Sequence, residues 1–437
     1  MVMDRVMSTA GRYVLLALTA FLALQAARQG IASYYFKQNL PPAMERAAAW
    51  DPANPVYPAT LANLIHLYGD NADPAEVIRL YQSAVNLSPF DAAYFADLAQ
   101  AHEWAGHSPV ALPLFQRAQK LFPNSPEINW KLANFYVRIG KESDAVAPLQ
   151  KVMQSHAIAN SQVFALTNAA NFDTAAVIDE LLPADPSAFF DYLNFQIDRS
   201  EIPAAQQTWD HLLQLRSPFT IEQTFHYLDA LIKLRKVDRA TKAWSALAAR
   251  FPLQLSSPPS RDNLLTNGNL QADILNGGFD WRVNPATGVL VTQEDLNPSS
   301  HVRALRIDFN GSENLFYNSA LQLVPVQPDM KYDFSAALRS ERITTDSGVG
   351  LQITDAYGAG KIFAATGRLT GTTPWSHEKI SFQTAPDTHL VVVSIVRTPS
   401  RKFDSKIAGT FWLSRVCLVP NPSATALANP GVASHQR

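Results

Sequence analysis

The sequence predicts a multidomain chain: one apolar helix, then an all-α superhelix built from repeats, then an all-β sandwich. Three observations predict this. An apolar run lies near the amino terminus, prolines recur at the interval of a helix pair, and composition changes abruptly near residue 253. The chain has 437 residues, 47% of them hydrophobic and 17% charged, which suits buried cores in two or three domains rather than a disordered polymer.

The first element is residues 1–36. Arg5 and Arg12 precede an apolar run over 13–24 that continues to Ala27 and is closed by Arg28. Residues 13–27 alone suit a signal-peptide core, and continuation through Gly30 and Ile31 to Phe36 gives the length of a spanning helix. Cleavage needs small residues past the run, and only Gly30-Ile31-Ala32 offers them. An uncleaved anchor is therefore expected, with Arg28 snorkelling to the interface and Tyr34, Tyr35 and Phe36 forming an aromatic belt. The bulk would then lie in the periplasm or outside the cell, attached to the cell membrane by a single pass; a secreted product of signal cleavage is the alternative.

Residues 42–252 are rich in Ala and Leu and punctuated by Pro52, Pro89 and Pro123, which are 37 and 34 residues apart. Aligned on those prolines, Leu98, Ala99 and His102 fall on the first helix of one unit, and Ala111, Phe115 and Ala118 on its second. The next unit puts Leu132, Ala133 and Tyr136, then Ala145, Leu149 and Val152, in the same places. Small residues let paired helices approach, large ones fill the groove, and proline stops the second helix. This pattern resembles the tetratricopeptide repeat. An insertion around Asp70-Asn71-Ala72 marks the first unit, and Ala205 and Trp209 recur 35 residues later as Ala240 and Trp244, so about six units fit the span. The resemblance implies a groove for a protein or peptide partner.

Residues 253–260, with Ser256-Ser257-Pro258-Pro259-Ser260, read as a linker. Beyond it, over 261–420, short runs at 304–309, 321–326, 350–353, 379–382, 390–396 and 410–418 alternate like strands between turn residues. The opening Asn263-Leu264-Leu265-Thr266-Asn267-Gly268-Asn269-Leu270, with Gly278-Phe279-Asp280-Trp281, resembles carbohydrate-binding modules of the family 4/9 jelly-roll type. Ile407-Ala408-Gly409-Thr410-Phe411-Trp412-Leu413 resembles their closing strand. The combination of anchor, repeats and module also resembles envelope proteins of acidobacteria-like bacteria. Where those modules place an Asp that helps hold structural calcium, this chain has Ser414; Asp273, Asp280 and Asp404 are the remaining candidate ligands, and no other cofactor is expected. Residues 421–437 mix Pro, Ala, Ser and Gly without period and read as a disordered tail.

Charge excludes one class of partner. The formal net charge is −2, with 36 basic and 38 acidic residues and no basic run, so nucleic-acid binding is not expected. A single cysteine, Cys417, rules out an internal disulfide and multi-cysteine metal sites, and its apolar run makes it a packing residue. Phosphate loops, zinc helices and nucleophile elbows are absent from the sequence. Of the closest histidine pair, His102 and His107, the first holds a core position, and a separation of five residues sends the two to different helix faces. Glu294-Asp295 and Asp333 are the carboxylates a polysaccharide-cleaving enzyme could use, but nothing marks them, and no enzyme is expected.

For sugar binding, an aromatic face beside hydrogen-bonding groups is needed. Trp281 and Trp412 sit in the terminal motifs as packing residues, whereas Tyr357 in Asp355-Ala356-Tyr357-Gly358 and Trp375 beside Pro374 lie in turn-like contexts and are the candidates. The expected function is an envelope-facing scaffold, with a repeat groove for protein and a sandwich for an envelope polysaccharide. The rival expectations are a structural assembly protein whose sandwich caps the last repeat, and a polysaccharide-acting enzyme.

Overall fold

The computed structural model describes residues 9–68, 72–297, 302–358 and 361–421. The charged head before residue 9, Asp70 and Asn71 of the expected insertion, and 422–437 of the expected tail lie outside the described residues. Asn421 itself is held, its amide donating to the Lys331 carbonyl and its side chain to Asp333. The chain forms two compact units that meet at Ser217 and Pro218.

The first unit is helical. It opens with α1 (Thr9–Phe36) and α2 (Pro41–Trp50). Three regular pairs follow: α3 (Val56–Tyr68) with α4 (Pro74–Leu87), α5 (Ala92–Trp104) with α6 (Ser108–Leu121), and α7 (Pro126–Arg138) with α8 (Glu142–Ser155). Local chemistry sets these boundaries. Asp73, Asp91 and Ser125 each turn a side-chain oxygen to a free amide in the first turn of the helix that follows, and proline opens α4 and α7 where no amide is needed. Gly106 and Gly140 take the left-handed conformation that turns each first helix into its second.

Next come α9 (Asn160–Ala169) with the short α10 (Thr174–Ala176), and α11 (Pro186–Asp198) with α12 (Ile202–Gln214). The chain widens after α10 into a π-helical stretch, Val177–Leu181, which interrupts the regular helix pairing there.

Leu98, Ala99, Ala111, Phe115, Ala118, Leu132, Ala133 and Ala145 are buried between the helices, and Tyr136 is nearly so. Phe115 of α6 meets Phe135 of α7 with ring centroids 5.0 Å apart, so the core runs on from one pair to the next. Pro123 follows the end of α6 directly after Phe122. His102 and His107 do not point apart. The turn at Gly106 folds the chain back and leaves their rings 5.9 Å apart, and burial, then His107, lowers the pKa of His102.

The second unit begins with a 3-10 turn, Glu222–Thr224, and the last helix pair, α13 (Phe225–Lys233) and α14 (Val237–Arg250). Among the described residues ten strands follow: β1 (Arg282–Val283), β2 (Val289–Asn297), β3 (Val302–Asn310), β4 (Tyr317–Pro325), β5 (Lys331–Ile343), β6 (Gly350–Asp355), β7 (Ile362–Ala365), β8 (Gly371–Gln383), β9 (Leu390–Arg397) and β10 (Ala408–Pro420). They make two five-stranded antiparallel sheets, ordered β1-β4-β9-β6-β7 and β2-β3-β10-β5-β8. Alternation decides which face is buried: Leu351, Ile353, Val391, Val393 and Ile395 of the first sheet share one core with Leu305, Ile307, Phe334, Leu338, Phe411 and Leu413 of the second.

Residues 253–260, expected as a linker, lie inside this unit. Leu255 is buried, and the Ser257 carbonyl accepts the Asn267 amide. The unit therefore starts before the break in composition and takes in the last helix pair as well as the sheets.

Candidate functional site

The motif that carries the module resemblance builds the seat for that helix pair. Gly278 has φ +55°, a conformation that favours glycine, and a Cβ there would run into the Trp244 ring of α14. A Cβ on Gly277 would likewise meet the Phe225 ring of α13. With no side chains in the way, Trp244 is fully buried, lies edge-on to Phe279 at 6.2 Å and donates its indole N–H to the Thr266 hydroxyl at 3.1 Å. Arg282 closes the edge with an ion pair to Asp229 at 2.5 Å and a hydrogen bond to the Gly278 carbonyl. Beneath the seat, the Gln322 amide donates to the Thr266 and Phe279 carbonyls.

The outer face of the first sheet carries a cleft of about 460 Å³. Phe316, Asn318, Gln352, Thr354 and Tyr357 are among the side chains lining it. Phe316 is 56% exposed. Asp355 organises one end by accepting the Tyr357 and Gly358 amides and the Thr388 hydroxyl. Burial works to raise this carboxyl, but those hydrogen bonds outweigh it and hold its pKa below the ordinary value. Tyr357 is committed elsewhere as well: its hydroxyl donates to the Ile232 carbonyl at 2.6 Å, and Arg235 stands over its ring at 5.0 Å.

Trp375 lies on β8, at the edge of the second sheet, in a separate cleft with Leu296, Val302, Ala337 and His377. The two expected sugar-facing aromatics therefore do not share a face, because the turn carrying Tyr357 and strand β8 belong to different sheets. Phe316, which the sequence reading passed over, is the exposed ring beside Tyr357. Its signal was the alternation that sends neighbouring Tyr317 fully inward.

Most of the other residues singled out in the sequence have structural partners. Trp281 is fully buried, and Trp412 is covered by Arg339 and Arg306 while its N–H donates to Glu294 at 2.7 Å. Asp295 pairs with Arg303, and Asp333 accepts the Ser381 hydroxyl. Of the candidate calcium ligands, Asp273 pairs with Arg303, Asp280 is buried under the Leu275 amide, and Asp404 is exposed. Among the described residues no group of three His, Cys, Asp or Glu side chains is placed to hold a metal ion. Ser414 donates to the Arg303 carbonyl. Burial pushes the Cys417 thiol up, which disfavours the reactive thiolate.

In the helical unit, a second cleft of about 460 Å³ opens along α3 and α5, where Asn63, Leu67, Tyr68, Tyr94 and Asp97 line it. Leu67 and Tyr68 are exposed. Ion pairs one repeat length apart brace this row: Lys131 of α7 reaches Asp97 of α5 at 2.7 Å, and Arg138 reaches Glu103 at 2.5 Å. Burial pushes the Asp97 carboxyl up against the pull of Lys131.

No protein-family model matches the chain, and no curated protein matches it. Among solved structures it is similar to pilF of Pseudomonas aeruginosa, at 14% identity and a TM-score of 0.28, over 53% of this chain and 93% of that one. It is also similar to a structure described as "CBM4 structure and function", at 13% identity and a TM-score of 0.28, over 36% of this chain and 99% of that one. Tailspike protein 4 of bacteriophage CBA120 matches at 13% identity and a TM-score of 0.27; the match covers 36% of this chain but spans only 21% of the tailspike.

Proposed function

We propose that the protein is a membrane-anchored scaffold that holds a protein or peptide partner in the cleft along its first helices, with the bulk outside the cytoplasm. The observation that carries this reading is the cleft between α3 and α5, where exposed Leu67 and Tyr68 stand beside the amide of Asn63 and the carboxylate of Asp97. Large apolar side chains left in water beside fixed polar groups are the ordinary make-up of a binding surface. Helix α1, long and apolar enough to cross a membrane over Gly11–Phe36, supplies the anchor. The sandwich serves first as a cap. The glycine-lined seat for Trp244 and Phe225 supports that role, since a terminal helix pair must cover its outer apolar side. A photocrosslinking amino acid at Tyr94 should give one discrete adduct in cells, and the same group at Val110, exposed on α6, should give none. Equal labelling from both positions would defeat the groove reading.

Exposed Phe316 beside Asn318 and Gln352 favours a second role for the sandwich, in which the first-sheet cleft takes an envelope polysaccharide. Affinity electrophoresis would then show retardation that Phe316→Ala abolishes without lowering the melting temperature. Unretarded wild-type protein would leave the cap as the sandwich's role.

A further inference from the structure

From residue 12 to 24 every side chain of α1 is exposed. Beyond that, Gln25, Arg28, Ala32, Tyr35 and Phe36 turn inward, and their three- and four-residue spacing puts them on one face. Helix α2 runs back along that face. Phe36 packs with the cluster that contains Met44, Ala32 is buried with Ala47 and Tyr57, and the Arg28 Nε donates to the Trp50 carbonyl at 3.1 Å. The shared clusters at 36 and 44 and at 32 and 47 continue into the hydrogen bond at 28 and 50, which is an antiparallel register. Ten residues of α2 cover about 15 Å, so α2 reaches back to the level of Arg28.

This geometry moves the expected membrane boundary. Two of the three belt aromatics, Tyr35 and Phe36, are packed against protein, and Arg46 stands over the Tyr35 ring at 5.7 Å. Were the hydrocarbon to extend to Phe36, α2 would be immersed with it, together with the exposed charges of Glu45 and Arg46. Both would lose part of their hydration there, a cost that grows with depth and reaches roughly 2.5–3.5 kcal/mol per charge at mid-bilayer. The remainder of α1 is long enough without that stretch. Residues 9–27 span about 28 Å at 1.5 Å per residue, against a hydrocarbon thickness of about 30 Å, and Arg12, one turn from the far end, is within snorkelling reach of the opposite headgroups.

We propose that the bilayer surface lies at the level of Arg28 and Trp50, so that the carboxyl end of α2 rests on the lipid headgroups and the last turns of α1 stand clear as a stalk. Trp50 is 42% exposed at that end, and an indole ring with one apolar and one hydrogen-bonding side is at home at the headgroup boundary. Arg28, whose Nε is tied to the Trp50 carbonyl, has further guanidinium donors for lipid phosphate. The partner of this surface is therefore the headgroup region of a phospholipid bilayer, and the inference rests on reading α1 as an anchor.

Depth measurement tests it. In a Cys417→Ser background, single cysteines replacing Leu24, Tyr34, Leu40 and Trp50, all exposed, would carry a nitroxide in full-length protein reconstituted into phosphatidylcholine and phosphatidylglycerol vesicles. Power saturation should place the label at 24 in lipid, reached by oxygen, and those at 34 and 40 in water, reached by a nickel chelate. The label at 50 should fall at the crossover between them. A crossover at 34 with the label at 50 inside lipid would overturn the boundary and leave the anchor standing. Release of the unlabelled protein from the vesicles by carbonate would overturn both.

Discussion

The Asp280 carboxyl is 1% exposed, and only one of its oxygens makes a hydrogen bond of good geometry, accepting the Leu275 amide at 2.8 Å. Burial raises its pKa to about 6, against the opposing pull of the Leu275 and Trp281 amides. A folded-state value above the unfolded one means that the neutral acid is favoured in the fold. The stability it brings is present in full below about 3.8 and is lost as pH rises through about 6. Asp280→Asn cannot ionise, so it should melt close to the parent at pH 4 and above it at pH 7. The gap expected for a rise of this size is on the order of 3 kcal/mol. Parallel melting curves across that range would show that the buried charge is not the cause. At this scale the sequence is least legible. Tyr357 has the surroundings of an exposed turn residue, and its partners, Ile232 on α13 and Arg235 in the turn after it, lie far back in the chain. No local pattern announces such a contact.

Elements are more legible where their cause is local. The helix pairs from α3 to α8 show a proline-marked period because every pair solves the same packing problem with small residues at the crossings. Phe115→Ala tests the continuity of that core. The ring is fully buried and touches Phe135 of the next pair, so its loss should cost about 3–5 kcal/mol and speed amide exchange in both α6 and α7. Exchange faster in α6 alone would mean that the pairs are independent. Strands are legible only in their apolar stretches. Positions 379–382 are recognisable, but β8 runs over Gly371–Gln383, because its other residues lie at a sheet edge, none of them buried, and apart from Pro374 and Trp375 carry no apolar side chain. Likewise β5 hides behind outward Asp333, Ser335 and Arg339, although Phe334, Ala336 and Leu338 alternate inward between them.

For the molecule as a whole, composition and compactness part company. The break near residue 253 marks where helices give way to strands, yet the second unit begins at Pro218, since Trp244 and Phe225 fill space that Gly278 and Gly277 leave open. Cutting at residue 261 would strip those rings away and expose Phe279 and the Gln322 bonds beneath it, both fully buried in the intact unit. Removing a buried aromatic costs about 3–5 kcal/mol where the site cannot collapse, and two rigid sheets give little room for collapse. A fragment over 218–421 should therefore unfold in one transition and at a clearly higher temperature than a fragment over 261–421. Gly278→Ala in the longer fragment should erase most of that advantage, because its Cβ meets the Trp244 ring and its φ is unfavourable for alanine. Equal melting temperatures for the two fragments, with Gly278→Ala silent in the longer one, would mean that the helix pair merely adjoins the sandwich and that the cap role has no energetic basis.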